Sequence, residues 1–130
     1  MNVTLDTIIL YVQNVEELTP FYIDIFNLEV VEKYQSQWTL LRVGNGNIGL
    51  HKIGDQYLDK MKSPFKFDNN CKIVFEIDED INSARERLRR QKVVMREIKT
   101  FENYDYWLCD GEDPEGNVFQ LKQKKNRIEE

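Results

Sequence analysis

Apolar positions along this chain arrive in short blocks whose period switches between the two-residue repeat of a strand and the three-to-four-residue repeat of a helix. The run LDTIILYV is β-branched and unbroken, short enough for a strand and too apolar for an exposed one. Behind it, Leu18, Phe21, Tyr22, Ile25 and Phe26 recur at helical spacing and predict a helix with one buried face. Asn14 is placed to cap that helix, and Glu17 three residues on completes a capping-box pattern. Pro20 falls early, where a missing N–H costs less than it does mid-helix, although it can bend the first turns. LEVVEKY, WTLLRV and IGLHKI then read as three strands. The last two are joined by GNGN, whose glycines and asparagines tolerate the positive φ of a hairpin turn.

Between residues 54 and 70 the pattern breaks into polar residues, glycine and proline, and this stretch is read as a connector with a short helical turn. The same order then begins again. CKIVFEI predicts a strand and DEDINSARERLRRQK a helix, acidic at its start and basic at its end as the helix dipole favours. VVMREIK, YDYWLC and VFQLKQ read as three further strands. Each half is therefore βαβββ, and the internal repeat fixes the organisation: a single domain over 1–130, with modules 1–53 and 71–124, the connector 54–70, and a polar tail 125–130.

Composition narrows the function. The chain has 130 residues, 41% hydrophobic and 12% aromatic, enough to build a core and to argue against disorder. Eighteen basic residues stand against 23 acidic ones, a net charge of −5, which speaks against a nucleic-acid partner. The lysines of KQKKNRIEE are read as a solvated end. No apolar run approaches the roughly 20 residues of a membrane span. The start MNVTLDTIILYVQNVEE lacks the basic head and cleavage site of a signal peptide. Cys71 and Cys109 make neither a metal spacing nor a disulfide framework, and each is read as a small buried hydrophobe. A cytoplasmic protein with no membrane partner is the expectation.

The sharpest local signal is DPEGNVFQL. Pro114 sets φ for a turn, Gly116 accepts a conformation other residues avoid, and Asn117 can bond back to the backbone. The strand that follows puts Val118, Gln120 and Lys122 on one face. Taken with LDTIILYVQNVEELTPFYIDIFNLEV and the internal repeat, this turn-and-strand resembles the vicinal oxygen chelate superfamily of glyoxalases, bleomycin-resistance proteins, fosfomycin-resistance proteins and extradiol dioxygenases. The resemblance covers about Leu5 to Gln123. It implies an α+β fold in which two tandem βαβββ modules form a cupped sheet with helices outside.

Metal-dependent members of that superfamily use His and Glu from inward strand faces. Carried across, those positions fall at Thr7, near Gly49 (with His51 on the same face two residues on), at Lys72 and at Gln120. Threonine, glycine, lysine and a neutral amide do not suit a divalent ion, and the chain has a single histidine. A site built on His51 and a carboxylate such as Glu76 is the remaining option. The expectation is no metal and no cofactor. By strand alternation Ile8, Leu10 and Val12 pack on the first helix, while Thr7, Ile9 and Tyr11 face the cup. Likewise Ile73, Phe75 and Ile77 pack on the second helix, while Lys72, Val74 and Glu76 face inward. With His51 and Gln120 these form the expected ligand-binding set. Trp38, Tyr104 and Trp107 join it as aromatic surfaces whose face the sequence does not fix. Lys72 either meets an anionic ligand group or pairs with Glu76.

The resemblance thus implies a metal-free protein that sequesters a small planar or anionic molecule, as a homodimer. Two alternatives stand beside it. One is a metal-dependent lyase or dioxygenase with an unusual ligand set. The other is a protein-interaction module whose cup is filled by its own side chains.

Overall fold

Helix and strand periods of each half resolve into one sheet with one helix across it, twice over. The computed structural model describes residues 1–2, 4–55 and 71–125, and the chain divides into two compact units, Met1–Phe65 and Lys66–Glu130. Most of the expected connector and all but the first residue of the tail lie outside the described residues.

The first unit runs β1 (Thr7–Val12), α1 (Val15–Phe26), β2 (Glu29–Tyr34), β3 (Trp38–Val43) and β4 (Gly46–Lys52). Its sheet has the order β1-β4-β3-β2, with β1 parallel to β4 and the other pairs antiparallel. Asn14 caps α1, its Oδ1 accepting from the Glu17 N–H at 3.0 Å. The helix ends on Asn27 in the left-handed conformation (φ 54°), its N–H closing on the Ile23 carbonyl. Val15, Leu18, Thr19 and Tyr22 form the buried face, while Phe21, Ile25 and Phe26 are only half-buried. Thr19 sits in the core because its hydroxyl donates to the Val15 carbonyl at 2.7 Å and meets the Thr39 hydroxyl at 3.1 Å. Leu10, Val12, Leu41, Ile48 and Leu50 complete this core from the sheet. Strand β2 lies at the sheet edge and is exposed at all six residues. Gly44 (φ 56°) opens the two-residue hairpin between β3 and β4.

The second unit repeats the plan: β5 (Ile73–Glu76), α2 (Ile81–Arg90), β6 (Val94–Met95), β7 (Tyr106–Glu112) and β8 (Val118–Lys124), in the order β5-β8-β7-β6. Asp80 caps α2, its Oδ2 accepting from the Ser83 N–H at 2.9 Å. The buried Gln123 amide accepts the Ile81 N–H at 2.8 Å, so β8 fixes where the helix starts. Phe75, Ile81, Ala84, Leu88, Phe119 and Leu121 form the core, with Phe75 and Phe119 edge-on at 6.3 Å. Arg87, Arg89 and Arg90 close the helix at its negative end.

Two expectations change here. VVMREIK is not a full strand: only Val94 and Met95 form a ladder, followed by an isolated bridge between Lys99 and Leu108. The Arg96 carbonyl is taken by Arg85 Nε from the helix at 2.8 Å, and beyond it the chain meets β7 again at Lys99. Cys71 is exposed rather than a buried hydrophobe, whereas Cys109 is fully buried.

The turn before β8 is built differently from its sequence reading. The Asn117 side-chain amide donates to both carboxylate oxygens of Asp113, at 3.2 and 2.9 Å. Asp113 Oδ1 also accepts the Glu115 and Asn117 N–H groups, both at 2.9 Å. Gly116 has φ 82°, where a β-branched residue is strained. Gly116→Val is expected to lower stability by roughly 1–3 kcal/mol in a denaturant melt, and a melt matching wild type would exclude a left-handed requirement at this position.

No helix among the described residues is long and apolar enough to cross a membrane.

Candidate functional site

In each unit the helix covers one face of the sheet, and the other carries the polar and aromatic residues singled out above. The register defines these faces. In the first unit Thr7 pairs with Asn47, Ile9 with Gly49 and Tyr11 with His51, and across β3 His51 pairs with Trp38 and Gly49 with Leu40. Thr7, Ile9, Tyr11, Trp38 and His51 therefore share the helix-free face. Trp38 is thus assigned a face that its sequence left open.

Three rings meet there. His51 lies 5.2 Å from Tyr11 and 5.9 Å from Trp38, centroid to centroid. Trp38 Nε1 donates to Glu32 Oε1 at 3.0 Å, which fixes the indole across the sheet. A Cβ built on Gly49 would stand 2.3 Å from Trp38 Cη2 and 2.7 Å from Cζ3, so the indole fills the space above that glycine. His51 Nδ1 is 2.7 Å from the Lys52 carbonyl; a carbonyl only accepts, so Nδ1 carries the proton and Nε2 of the neutral ring is an acceptor. The result is an aromatic platform with one outward acceptor.

In the second unit Val74 pairs with Gln120, Glu76 with Lys122, and Gln120 with Asp110. Lys72, Val74, Glu76 and Gln120 thus share the helix-free face with Asp110. Lys72 is not paired with Glu76: its Nζ contacts Asp110 Oδ2 at 2.9 Å. A lysine four residues from a glutamate on one strand stands about 13 Å from it along the backbone, whereas Asp110 lies across the sheet within direct reach. Gln120 Nε2 donates to Asp110 Oδ1 at 2.9 Å. Arg96 and Lys99 approach the same Oδ2 at 3.7 and 3.9 Å, and Arg96 also reaches Glu112 at 3.4 Å.

Asp110 is buried, which pushes its carboxyl up. The hydrogen bonds from Lys72 and Gln120 and the charges of Lys72 and Lys99 outweigh that and hold it below the usual aspartate value. Burial pushes the neighbouring Cys109 thiol up, on the helix side of β7, so it stays protonated at neutral pH and is no nucleophile.

The remaining aromatics separate. Tyr104 joins a cluster with Phe101 at 6.0 Å and Tyr106 at 5.5 Å, and Lys122 Nζ lies 4.1 Å above the Tyr106 ring. Trp107 does not join the set: it pairs with Gln123, whose amide bonds the start of α2, so Trp107 lies on the helix side of the sheet with Lys125 Nζ at 4.8 Å.

Sequence reasoning missed Asp110, Arg96 and Lys99. A signal for the first was present, because β7 and β8 flank the DPEGN turn, and counting outward from Glu112 and Val118 sets Asp110 opposite Gln120.

These residues do not fit a divalent metal. Gly49 has no donor and the indole lies over it, Lys72 brings a positive charge, and the Gln120 amide points an N–H at Asp110. Thr7 has spent its hydroxyl proton on Asp6 Oδ2 at 2.6 Å. Among the described residues, no three His, Cys, Asp or Glu side chains converge as a metal site.

Comparison with known proteins gives a consistent fold. The family profile described as "Glyoxalase/Bleomycin resistance protein/Dioxygenase superfamily" matches residues 4–121. No curated protein sequence matches the chain. Among solved structures, it is similar to lactoylglutathione lyase from Agrobacterium tumefaciens, with 17% identity, TM-score 0.73 and 94% of each chain covered. It is also similar to a protein from the mobile metagenome of V. Pseudocholerae, with 24% identity, TM-score 0.71 and 97% of this chain and 98% of that chain covered. A third is a mutant of the fosfomycin resistance protein FosX from Listeria monocytogenes, complexed with Mn(II) and 1S,2S-dihydroxypropylphosphonic acid. It has 20% identity and TM-score 0.72, and the match covers 93% of this chain and 90% of that chain. At these identities the structures speak to fold.

Proposed function

Because the chain belongs to the Glyoxalase/Bleomycin resistance protein/Dioxygenase superfamily, we propose that it is a binding protein that holds a small planar or anionic molecule without a metal ion. The observation that carries this reading is the pair of substitutions at the ligand positions. An indole stands over Gly49, and an ammonium, Lys72, is tied to a carboxylate. Neither leaves a lone pair for a cation. What the helix-free faces offer instead is recognition. Tyr11, Trp38 and His51 present flat surface to a planar group, and Lys72 and its neighbours present positive charge to an anion. Part of this reading is a cytoplasmic homodimer, whose mass light scattering would report.

The test combines metal content with a thermal-shift screen of planar and anionic compounds. The expected result is protein free of stoichiometric metal after incubation with zinc, nickel, manganese or ferrous iron and desalting. At least one compound is expected to raise Tm, by about 2.7 kcal/mol of added stability at one hundred times its Kd. A metal retained one to one would sink the proposal and favour a lyase or dioxygenase. Metal-free protein that no compound stabilises would favour an interaction module.

A further inference from the structure

We propose that the helix-free face of the second unit is an oxyanion site, in which Lys72, Lys99 and Arg96 converge on the phosphate or carboxylate group of a small molecule. This rests on the binding reading above and names the class of its ligand.

Three cations gather at one oxygen. Only Lys72 is within hydrogen-bond distance of Asp110 Oδ2, at 2.9 Å; Arg96 at 3.7 Å and Lys99 at 3.9 Å are drawn toward the carboxylate without donating to it. The other oxygen is taken by Gln120. Among the described residues a second carboxylate, Glu112, lies 3.4 Å from Arg96. Three cations against two carboxylates leave one positive charge in excess. On the same face Glu76 is registered opposite Lys122, whose Nζ lies over the Tyr106 ring.

Burial decides which partner is fixed and which is available. The Asp110 side chain is 7% exposed, while those of Lys72, Arg96 and Lys99 are 40%, 50% and 48% exposed. The carboxylate is thus a buried anchor, and the three cations gathered at it remain partly open to solvent. Like charges held within a few ångströms repel. A second anion among them relieves that repulsion and collects charge-assisted hydrogen bonds from preorganised donors. An oxyanion with several acceptor oxygens suits three donors arriving from different strands. Asp110 therefore acts as a positioning residue for a site it does not itself complete.

The experiment titrates chelator-treated wild-type protein with inorganic phosphate and, separately, with succinate, at constant ionic strength against chloride, following Tm. Saturable stabilisation by at least one of them is expected, unchanged by excess chelator. Lys99→Gln should weaken it on the order of fivefold, the effect of one partly exposed charge. Lys33→Gln, on β2 of the first unit, should leave it unaltered. Lys99→Gln is preferred to a change at Lys72, whose loss uncovers a buried carboxylate. Absence of saturation with both anions, or equal binding by Lys99→Gln, overturns the oxyanion site. If neutral planar compounds still stabilise the metal-free protein, the broader binding reading survives that failure. A response that vanishes with chelator and returns with manganese overturns both.

Discussion

Asp113→Ala is expected to cost about 2–4 kcal/mol of unfolding free energy, the largest single effect in the second unit outside its apolar core. The carboxylate is a hub: it receives two backbone N–H groups and both contacts of the Asn117 amide, and Asp113 and Asn117 are each about 95% buried. Truncation removes the acceptor those donors share, and each buried donor left without one costs about 1–3 kcal/mol before relaxation. The loss should propagate. Asp113 bonds back to the Asn117 carbonyl at 2.9 Å, closing the hairpin that sets β7 against β8. Asp113→Asn should fall between wild type and alanine, because one oxygen still accepts while its new NH2 faces the Asn117 amide. Equilibrium urea unfolding reads both variants. An alanine variant whose midpoint stays within error of wild type would show that water replaces the carboxylate at no cost.

Asp110→Ala should cost slightly less, about 2–3 kcal/mol at neutral pH, because it removes the shared counter-charge of three partly exposed cations. This loss has a pH signature. The folded carboxyl titrates below the ordinary aspartate value of about 3.9, held there against burial by Lys72 and Gln120. Its stabilising contribution is therefore complete above about pH 4 and fades as pH falls through the folded value. The Tm gap between wild type and Asp110→Ala should be constant from pH 7 to about 4.5, then narrow. A gap that widens on acidification would mean that the carboxylate is destabilised in the fold, the reverse of the assignment.

Elements were legible where one local rule dominates. The Asn14 cap, the parity of Leu10 and Val12 against Ile9 and Tyr11, and the left-handed Gly116 all follow from short-range sterics and period. The helix-free positions of Thr7, Lys72 and Gln120 could be counted from the same parity. What failed depends on contacts between elements distant in sequence. Lys72 meets Asp110, 38 residues on, in preference to Glu76, four residues along. The strand expected over VVMREIK is cut short because a helix residue, Arg85, claims the Arg96 carbonyl. Trp107 falls on the helix side because β7 is registered by its turn with β8, a register that composition does not reveal. Cys71 is exposed in the stretch just before β5, a position at which the general tendency of cysteine to be buried carries no information.

Trp38 has a consequence for what this chain could become. A donor side chain at position 49 needs a Cβ, and that atom would stand 2.3 Å from the indole held across the strand. Neither Gly49→Glu nor Gly49→His is thus an accessible single step, since the new side chain enters space already filled. Shrinking Trp38 first opens a void beside His51 and Tyr11 and gains nothing chemically. The two changes help only together. The glycine–tryptophan pair is therefore coupled: a side chain at position 49 needs a smaller residue at position 38.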